Sequence, residues 1–401
     1  EWYDQVYAFE AHVIGMTGAE VAAMETELVN GHYITTDADL LAAGCSMQIT
    51  DFMAAVAKAC ADEQGFTFKT AATFTVGVGV DSFDDGTTNA TAEADGVVKM
   101  YSDFAATVIA DGKILSAIND AIQPTVSFNV AGEITAKTYK GTKRELKEGY
   151  NMSTYGANMD PNGDGVVKEW YLQSEAFSKH VVGMTGAEVA AMETALVNGH
   201  YITTDQALLD AGCSMQITDF MEAVAKACAD EQGFTFKTAK EFTVGVAADS
   251  FDDGSSNATA EADGTVKMYT DFAGSVVAEG KVLASINDAI QPQVKFNAAN
   301  EITEKIYKGT KRELKEGYNM ATYGANQDPN GDGKVLEWYL QSEAFSKHVV
   351  GMTGAEIAAM ETKANSIGYQ MTTDEALLAA GCTIQITAIK AVVAESVTNA
   401  R

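Results

Sequence analysis

The sequence contains little arginine, proline or cysteine, and it has no long apolar run. Among 401 residues there are 4 prolines, 5 cysteines and 5 histidines, and arginine occurs only at Arg144, Arg312 and Arg401. No segment approaches the roughly 18–20 consecutive apolar residues that a membrane-spanning helix needs. We therefore expect no membrane insertion of this segment.

Positive charge is scarce relative to negative charge. Lysine and arginine together number 27 against 56 aspartates and glutamates, which gives a formal net charge of −29. Such a surface repels phosphate backbones, so nucleic acid is not expected as a partner. It suits high solubility, high salt or calcium binding, although a merely solvated acidic surface is the favoured interpretation.

Motifs for hydrolysis or group transfer are also missing. The sequence has no Ser-His-Asp order, no Cys-x-x-Cys pair and no glycine-rich phosphate loop. The histidines do not cluster, since His12, His180 and His348 recur singly at one position before the tripeptide Gly-Met-Thr. Whether the protein is an enzyme is left uncertain, and a non-catalytic role is favoured.

What the sequence does contain is a long internal repeat. The tripeptide EWY occurs at positions 1, 169 and 337, and the differences 169 − 1 and 337 − 169 are both 168. The segment YKGTKRELKEGYNM at 139–152 returns unchanged at 307–320. A period of this length indicates tandem domains, each with its own core, and not a solenoid of small units.

Each period divides into two halves. The half at 169–232 is predicted to be helical, with Trp170, Phe177, Val181 and Val182 near one face at helical spacing. Thr185 with a glutamate three residues later predicts a capping box. The segment CSMQIT is predicted to form a short strand before a final helix.

The half at 65–168 is predicted to be β-structure. Asp111-Gly112 lies between two apolar runs and is a hairpin signal. The predicted fold class is therefore α+β, with antiparallel sheets and helices grouped on one side.

Three domains are predicted: a helical half of a truncated repeat at 1–64, and complete repeats at 65–232 and 233–401. A helical half alone would expose the apolar face of Phe9, Val13, Phe52 and Val56. We therefore expect a further repeat upstream, or a strand half borrowed from a neighbouring molecule, to cover it.

The order of strand half and helical half resembles the FMN-binding domain family, especially its surface lipoprotein members from anaerobic bacteria. The resemblance is carried by DFAGSVVAEGKVLASINDAIQPQVKF, TKRELKEGYNM, EWYLQSEAFSKHVVGMTGAEI and GCTIQIT, and it covers both complete repeats and the helical half at 1–64. In members that bind FMN covalently, a Gly-Ala-Thr motif carries the flavin on its threonine. The resemblance thus implies flavin attachment or contact at Ser46, Ser214 and Thr383, where Gly-Cys-Ser or Gly-Cys-Thr stands in its place.

A calcium site is predicted in each complete repeat, just before the EWY helix. Alternating oxygen ligands followed by glycine match the opening of a calcium loop, and a glutamate at the start of the next helix would complete a shortened loop. The predicted ligands are Asp160, Asn162, Asp164 and Glu169, and then Asp328, Asn330, Asp332 and Glu337. Because Asp-Pro-Asn-Gly is itself turn chemistry, a simple polar turn is the alternative.

Two disulfides are predicted, Cys45–Cys60 and Cys213–Cys228. If CSMQIT is a strand and the helix after it runs antiparallel to it over a similar length, the cysteine at the start of the strand lies beside the cysteine at the end of the helix. The third copy has Val397 at the partner position, so Cys382 would remain a free thiol. The alternative is five free thiols, as in a reducing compartment.

These observations predict a secreted or cell-surface repeat protein, built as a structural component of an envelope layer or extracellular filament. Near-identical repeats suit a scaffold, and the expected partners are other copies of the chain or further upstream repeats. The alternative is an extracellular flavin-carrying electron-transfer protein. Asn89, Asn151 and Asn257 stand in glycosylation sequons, which matter only if the host glycosylates secreted protein.

Overall fold

The computed structural model describes residues 1–14, 16–61, 73–155, 167–238, 240–323, 335–365 and 368–401. It is an α+β structure with antiparallel sheets, which confirms the predicted fold class. The chain separates into two compact units, an N-terminal unit at 1–68 and a larger unit at 69–401. None of the helices in the described part of the chain has the length and apolar character needed to cross a membrane.

The N-terminal unit is mostly helical. Its elements are α1 (Trp2–Val13), α2 (Gly18–Ala22), β1 (Thr26–Val29), β2 (His32–Thr35), α3 (Ala38–Ala42) and α4 (Thr50–Cys60). They enclose a small core around Phe9, Val21, Leu40 and Ile49.

The first complete repeat begins with a strand half. Its strands are β3 (Thr73–Asp84), β4 (Gly96–Ala110), β5 (Lys113–Ile122), β6 (Thr125–Phe128) and β7 (Ile134–Thr138). All pairings are antiparallel, and β4 is long enough to pair with β3 on one side and with β6 and then β5 on the other. Asp111 and Gly112 both have positive φ, as the predicted two-residue hairpin between β4 and β5 requires.

The helical half of the first repeat follows. Its elements are α5 (Lys143–Leu146), a 3₁₀ turn (Lys147–Tyr150), α6 (Met152–Tyr155), α7 (Trp170–His180), α8 (Gly186–Ala190), β8 (Thr194–Val197), β9 (His200–Thr203), α9 (Gln206–Asp210) and α10 (Thr218–Cys228). Thr185 accepts a hydrogen bond from Glu188 in the predicted capping box.

The second repeat reproduces this order. Its strands are β10 (Phe234–Lys237), β11 (Thr243–Asp252), β12 (Gly264–Ala278), β13 (Lys281–Ile290), β14 (Gln293–Phe296) and β15 (Ile302–Ile306). Its helical half contains α11 (Lys311–Leu314), a 3₁₀ turn (Lys315–Tyr318), α12 (Met320–Tyr323), α13 (Trp338–His348), α14 (Gly354–Ala358), β16 (Thr362–Ala364), β17 (Gln370–Thr372), α15 (Glu375–Ala379) and α16 (Thr387–Thr398).

In each repeat the sheet packs against the helices that follow it in sequence. α10 lies on β3 and β4, and α7 lies on β5. Alternate residues of β4, such as Tyr101 and Ala105, join Trp170, Phe177 and Phe220 in one apolar core. The domain boundaries at 64/65 and 232/233 themselves stay predictions.

The opposite face of each sheet packs against the other repeat. Val98 and Met100 of β4 meet Val266 and Met268 of β12 in a shared apolar core. The rings of Phe128 and Phe296 stack at a centroid distance of 4.2 Å across this interface, and those of Phe104 and Phe272 lie 5.2 Å apart. At Gly274 a Cβ atom would lie 2.7 Å from the Cβ of Ala106, so the close approach requires glycine there.

Polar contacts across this interface are reciprocal. The backbone amide of Ile134 donates to Oδ1 of Asn257 at 2.9 Å, and the amide of Ile302 donates to Oδ1 of Asn89 at 3.0 Å. Likewise, Lys137 pairs with Asp252 at 2.7 Å, and Lys305 pairs with Asp84 at 2.6 Å. In each pair of contacts, the donor and acceptor positions of one repeat correspond, 168 residues apart, to those of the other repeat. Such reciprocity is characteristic of an isologous, pseudo-twofold interface.

One strand of the second repeat joins the sheet of the first. β10, which precedes the sheet of the second repeat, adds to the edge of β3 in the first. Phe236 on β10 stacks on Phe74 at 5.4 Å, and Phe242 contacts both rings. The first strand of the second repeat therefore belongs to the sheet of the first repeat.

Two local predictions are wrong. CSMQIT is not a strand, because only Gln216 makes an isolated bridge, to Ile202, before the chain turns into α10. The predicted helical face also included Val182, which is exposed because α7 ends at His180. The small hairpins β1–β2, β8–β9 and β16–β17 in the helical halves were not predicted.

The N-terminal unit exposes a face that the complete repeats bury. Trp170 and Trp338 are each 2% exposed beneath their sheets, whereas the equivalent Trp2 is 64% exposed. Of the four residues predicted to form this apolar face, Phe9 is buried in the small core, and Val13, Phe52 and Val56 are partly buried against it.

We expect Phe296→Ala to destabilise both repeats together. It removes a fully buried ring from the core that the repeats share, at a cost of about 3–5 kcal/mol. Urea denaturation followed by tryptophan fluorescence and by circular dichroism should show a lower midpoint in one cooperative transition.

The matched control is Leu196→Ala, which changes an exposed side chain and should alter the unfolding free energy by less than about 0.5 kcal/mol. Two separate transitions, only one of them shifted by Phe296→Ala, would show that the repeats unfold independently.

Candidate functional site

In all three copies, a glutamine side chain accepts hydrogen bonds from the serine or threonine that the resemblance assigns to flavin. Oε1 of Gln173 accepts hydrogen bonds from the backbone amides of Ser214 and Met215, at 2.8 and 2.9 Å, and Ser214 Oγ lies 3.5 Å away. Gln341 does the same for Thr383, whose amide and hydroxyl donate at 2.6 and 3.2 Å. Gln5 accepts from Ser46 at 2.9 and 3.4 Å.

These contacts have a consequence for flavin attachment. Ser214 is 6% exposed and Thr383 is 2% exposed. The amides of Ser214 and Met215 converge on the same glutamine oxygen. A covalent flavin at these hydroxyls would have to displace the glutamine.

Of the predicted calcium ligands, only the two glutamates lie within the described residues. The carboxylate of Glu169 accepts from the amide of Met152 at 2.8 Å and from the amide and hydroxyl of Ser153. Glu337 accepts from the amides of Met320 and Ala321 at 2.8 and 3.2 Å. Both glutamates therefore cap a short helix, where a carboxylate is favourable.

The six other predicted ligands lie outside the described residues: Asp160, Asn162, Asp164, Asp328, Asn330 and Asp332. Within the described part of the chain, no group of three or more His, Cys, Asp or Glu side chains could hold a metal ion. The calcium site therefore stays a prediction.

The predicted disulfides Cys45–Cys60 and Cys213–Cys228 are absent from the structure. All five cysteines are free, and no two of them lie at disulfide distance. The prediction assumed a strand at CSMQIT. Instead the chain enters α10 soon after Cys213, and Cys228 ends that 11-residue helix, about 15 Å along its axis from its first turn.

The first repeat contains a buried lysine that the sequence pattern did not reveal. Lys143, at the start of α5, is 4% exposed and donates a hydrogen bond to the hydroxyl of Tyr101 at 2.6 Å. Its Nζ lies 4.2 Å from the ring centroid of Tyr101, 4.5 Å from that of Tyr150 and 5.1 Å from that of Trp170. Three aromatic rings thus surround one ammonium group, which favours its charged form.

This lysine pocket opens into a cavity of about 470 Å³ between the sheet and the helices. Aromatic side chains form much of its wall, including Phe83, whose ring stacks on Tyr101 at 5.1 Å. Asp103 and Asp219 also line this cavity. A second cavity of about 400 Å³ shares Lys143, Tyr150 and Gln123 with it.

Burial dominates the ionisation of the pocket. It lowers the pKa of Lys143 to about 8, although Asp103 opposes the shift. It raises the pKa of Asp103 well above its ordinary value, and Lys143 only partly offsets this. Removal from water disfavours the charged form of both groups, and for the amine the aromatic rings act in the opposite direction.

The second repeat has the same arrangement. Lys311 donates to Tyr269 at 2.6 Å and lies 4.6 Å from the ring centroid of Tyr318 and 5.1 Å from that of Trp338. Burial lowers the pKa of Lys311 and raises that of Asp271, the equivalent of Asp103. The unchanged segment YKGTKRELKEGYNM contains both lysines, but nothing in its pattern distinguishes a buried lysine from the exposed ones beside it.

The two ends of the repeat interface differ in charge. Where α10 meets the second repeat, Arg312 forms a two-pronged ion pair with Asp230, at 2.8 and 3.2 Å, and Lys226 pairs with Asp81 at 3.2 Å. At the related end, Glu395 of α16 stands in the place of Lys226 and hydrogen bonds to Glu145 of the first repeat.

This carboxyl pair makes one end of the interface sensitive to pH. The hydrogen bond to Glu145 and burial raise the pKa of Glu395 to about 8, and the nearby Asp249 and Asp120 add to the shift. Two carboxyl groups in contact are stable only while they share a proton.

We expect wild-type stability to fall, relative to a Glu395→Gln variant, as the pH rises. The folded pKa of about 8 exceeds the ordinary 4.5, so the contribution is full below about pH 4.5 and is lost between there and pH 8. Allowing for partial solvent screening, the loss should be about 1–2 kcal/mol. The measurement is urea denaturation at pH 5 and pH 8.5.

Glu395→Lys, which reproduces the Lys226 arrangement, is the matched comparison and should remove the same decline. Other buried carboxyls titrate equally in all three proteins, so only the difference between them is informative. Parallel stability curves for the three proteins would contradict the role of the carboxyl pair.

We expect thiol titration in denaturant without reductant to find five free thiols. In the native protein Cys60 should react first, since it is exposed, whereas Cys45, Cys213 and Cys382 are buried. Burial also raises the pKa of Cys213 to about 12, which suppresses its reactive thiolate. A count of one thiol would instead restore the two disulfides.

No family model, curated protein or solved structure matches the chain. The resemblance to FMN-binding domains therefore rests on the sequence alone.

Proposed function

We propose that the protein is a secreted or cell-surface repeat protein, built from FMN-binding-like domains, that serves as a structural component of an envelope layer or extracellular filament. The observation that carries this proposal is the isologous pairing of two near-identical repeats through a shared apolar core. Such pairing turns two repeats into one rigid block, which is what an assembled scaffold requires.

The reciprocal contacts support a mechanical role for this pairing. Two backbone amides, two ion pairs and a stack of two phenylalanine rings hold the same face from both sides. β10 then ties the start of the second repeat to the sheet of the first. Relative movement of the two sheets would break all of these contacts together.

The proposed location rests on composition and repeat architecture. A net charge of −29 keeps a protein soluble at high local concentration.

The proposed partners are other copies of the chain or further repeats. The N-terminal unit exposes Trp2, whose equivalents Trp170 and Trp338 are buried by a strand half. A strand half supplied from outside this segment would bury the same surface. Calcium bound at the two predicted loops would stiffen the joint before each EWY helix.

The alternative function is an extracellular flavin-carrying electron-transfer protein. The observation in its favour is the cavity of about 470 Å³, whose walls include Phe83, Tyr101, Tyr150, Trp170 and Phe220. Aromatic walls suit a planar ring system, and FMN held there would not need the buried hydroxyl of Ser214.

Purification of the native protein from its source tests both functions. For a scaffold we expect a colourless protein that forms regular assemblies under the electron microscope and is digested by protease added to intact cells. The Phe296→Ala variant should not assemble, because it weakens the core shared by the two repeats. The exposed control Leu196→Ala should assemble normally.

A yellow protein with flavin absorption bands and no ordered assemblies would favour the electron carrier and contradict the scaffold.

For the calcium loops, we expect chelator to lower the melting temperature at neutral pH by mass action. An unchanged melting temperature and no calcium uptake by calorimetry would leave these loops as simple turns.

A further inference from the structure

We propose that the first repeat binds a phosphate group in the cavity of about 400 Å³ that Lys99, Lys140 and Lys143 line together. The ligand would be inorganic phosphate or the phosphate of a small ester. The site goes beyond the structural role proposed above, and that role does not depend on it. Ser214, which the resemblance assigns to flavin, does not line this cavity.

The lining of this cavity is basic, although the protein as a whole is strongly acidic. The chain has 56 aspartates and glutamates against 27 lysines and arginines. Among the described residues, the cavity is lined by three lysines and by one acidic residue, Asp85. The carboxylate of Asp85 accepts a hydrogen bond from Nε2 of Gln123 at 2.9 Å. A concave site with an excess of one charge concentrates ligands of the opposite charge, so this cavity favours an anion.

Two of the three lysines have ammonium groups that no acid occupies. Within the described part of the chain, the side chains of Lys99 and Lys140 form neither an ion pair nor a hydrogen bond. By contrast Lys137, three residues before Lys140, pairs with Asp252 at 2.7 Å. Lys99 and Lys140 are both exposed, so they can reach a ligand without giving up an existing partner.

The third lysine is buried and lines the same cavity. Lys143 is 4% exposed, and its Nζ donates to the hydroxyl of Tyr101 at 2.6 Å and lies 4.5 Å from the ring centroid of Tyr150. Tyr150 is itself part of the cavity wall. Because an ammonium group carries three N–H donors, one bond to a phenol leaves donors for a ligand. Burial lowers the pKa of Lys143 to about 8, and a bound anion would favour its charged form.

Two threonines add hydroxyl groups to the lining. Thr125 on β6 and Thr138 on β7 lie directly opposite each other in the antiparallel pair, and both line the cavity. Lysine binds phosphate as a point charge, and threonine hydroxyls can donate to the phosphate oxygens. The second repeat keeps all three lysine positions but has Gln293 and Ile306 in place of the threonines. These side chains are larger, and isoleucine cannot donate, so we expect the site in the first repeat only.

The neighbouring space allows for an organic group attached to the phosphate. The phosphate cavity shares Lys143, Tyr150 and Gln123 with the aromatic cavity of about 470 Å³. A phosphate ester would place its phosphate among the lysines and a ring against the aromatic walls. Free phosphate would use the lysines and the threonines alone.

Isothermal titration calorimetry of the full chain tests the proposal, at pH 7.5 and constant ionic strength. We expect saturable binding of inorganic phosphate and weaker binding of acetate, which carries a single negative charge and fewer acceptor oxygens. Phenyl phosphate separates the two sources of the ligand. Tighter binding than inorganic phosphate would indicate an ester whose ring enters the aromatic cavity, and equal or weaker binding would indicate free phosphate.

The test variants are Lys99→Gln and Lys140→Gln. Each should weaken phosphate binding by about tenfold, as expected for the loss of one charge-assisted hydrogen bond. The matched control is Lys179→Gln, which removes the same charge from a side chain of the first repeat that is 75% exposed, and it should leave binding unchanged. The double variant Thr125→Gln, Thr138→Ile should also weaken binding while it keeps all three lysines.

The wild-type titration does not depend on the folding of any variant, and an absence of saturable phosphate binding there would overturn the proposal. Unchanged binding in both lysine variants would overturn it as well, and so would equal weakening by Lys179→Gln, since net charge alone would then explain the effect. Acetate binding as tight as that of phosphate would contradict the assignment to phosphate. Two phosphates per chain, of which Lys140→Gln removes one, would support the site in the first repeat and overturn its restriction to that repeat.

Discussion

The face-to-face packing of two sheets is the interaction on which the larger unit depends. β4 and β12 must bury both of their faces, one against their own helices and the other against the partner repeat. Val98 and Met100 point to the partner, while Tyr101 and Ala105 point to the helices. A strand of this kind has no solvent face, so a single repeat would leave one side of its sheet exposed.

The pseudo-twofold relation explains both the likeness and the divergence of the repeats. Residues near the centre of the interface contact their own equivalents in the other repeat, as Phe128 contacts Phe296. This arrangement favours copies that stay alike. Residues at its ends meet different partners and are free to differ. Arg312 binds Asp230, whereas the equivalent Arg144 binds the carbonyl of Asn119 and the hydroxyl of Ser174, because Asn399 replaces the aspartate.

Each repeat also buries a lysine and an aspartate in its interior. They occupy the helical side of the sheet, where apolar packing would otherwise be stronger, and burying two charges is seldom favourable for stability alone. They recur in both repeats, each lysine beside two tyrosines and one tryptophan.

The sequence by itself determined the repeat period, the α+β class, the hairpin at Asp111-Gly112 and the capping box at Thr185. These features follow from local rules of turn chemistry, capping and alternation, which a single segment carries within itself. The assignment of CSMQIT as a strand failed for the same reason, since a short apolar run fits a buried loop equally well.

Only the tertiary structure decided which face of each sheet packs on the helices and which packs on the other repeat. It also decided that the cysteines lie apart and that a glutamine accepts hydrogen bonds from the amides of Ser214 and Met215. It also set Lys143 apart from the exposed lysines near it. Burial, the separation of Asp103 from water and the meeting of Glu145 with Glu395 depend on residues far apart in sequence. Such effects arise when distant segments exclude solvent together, and no local pattern encodes them.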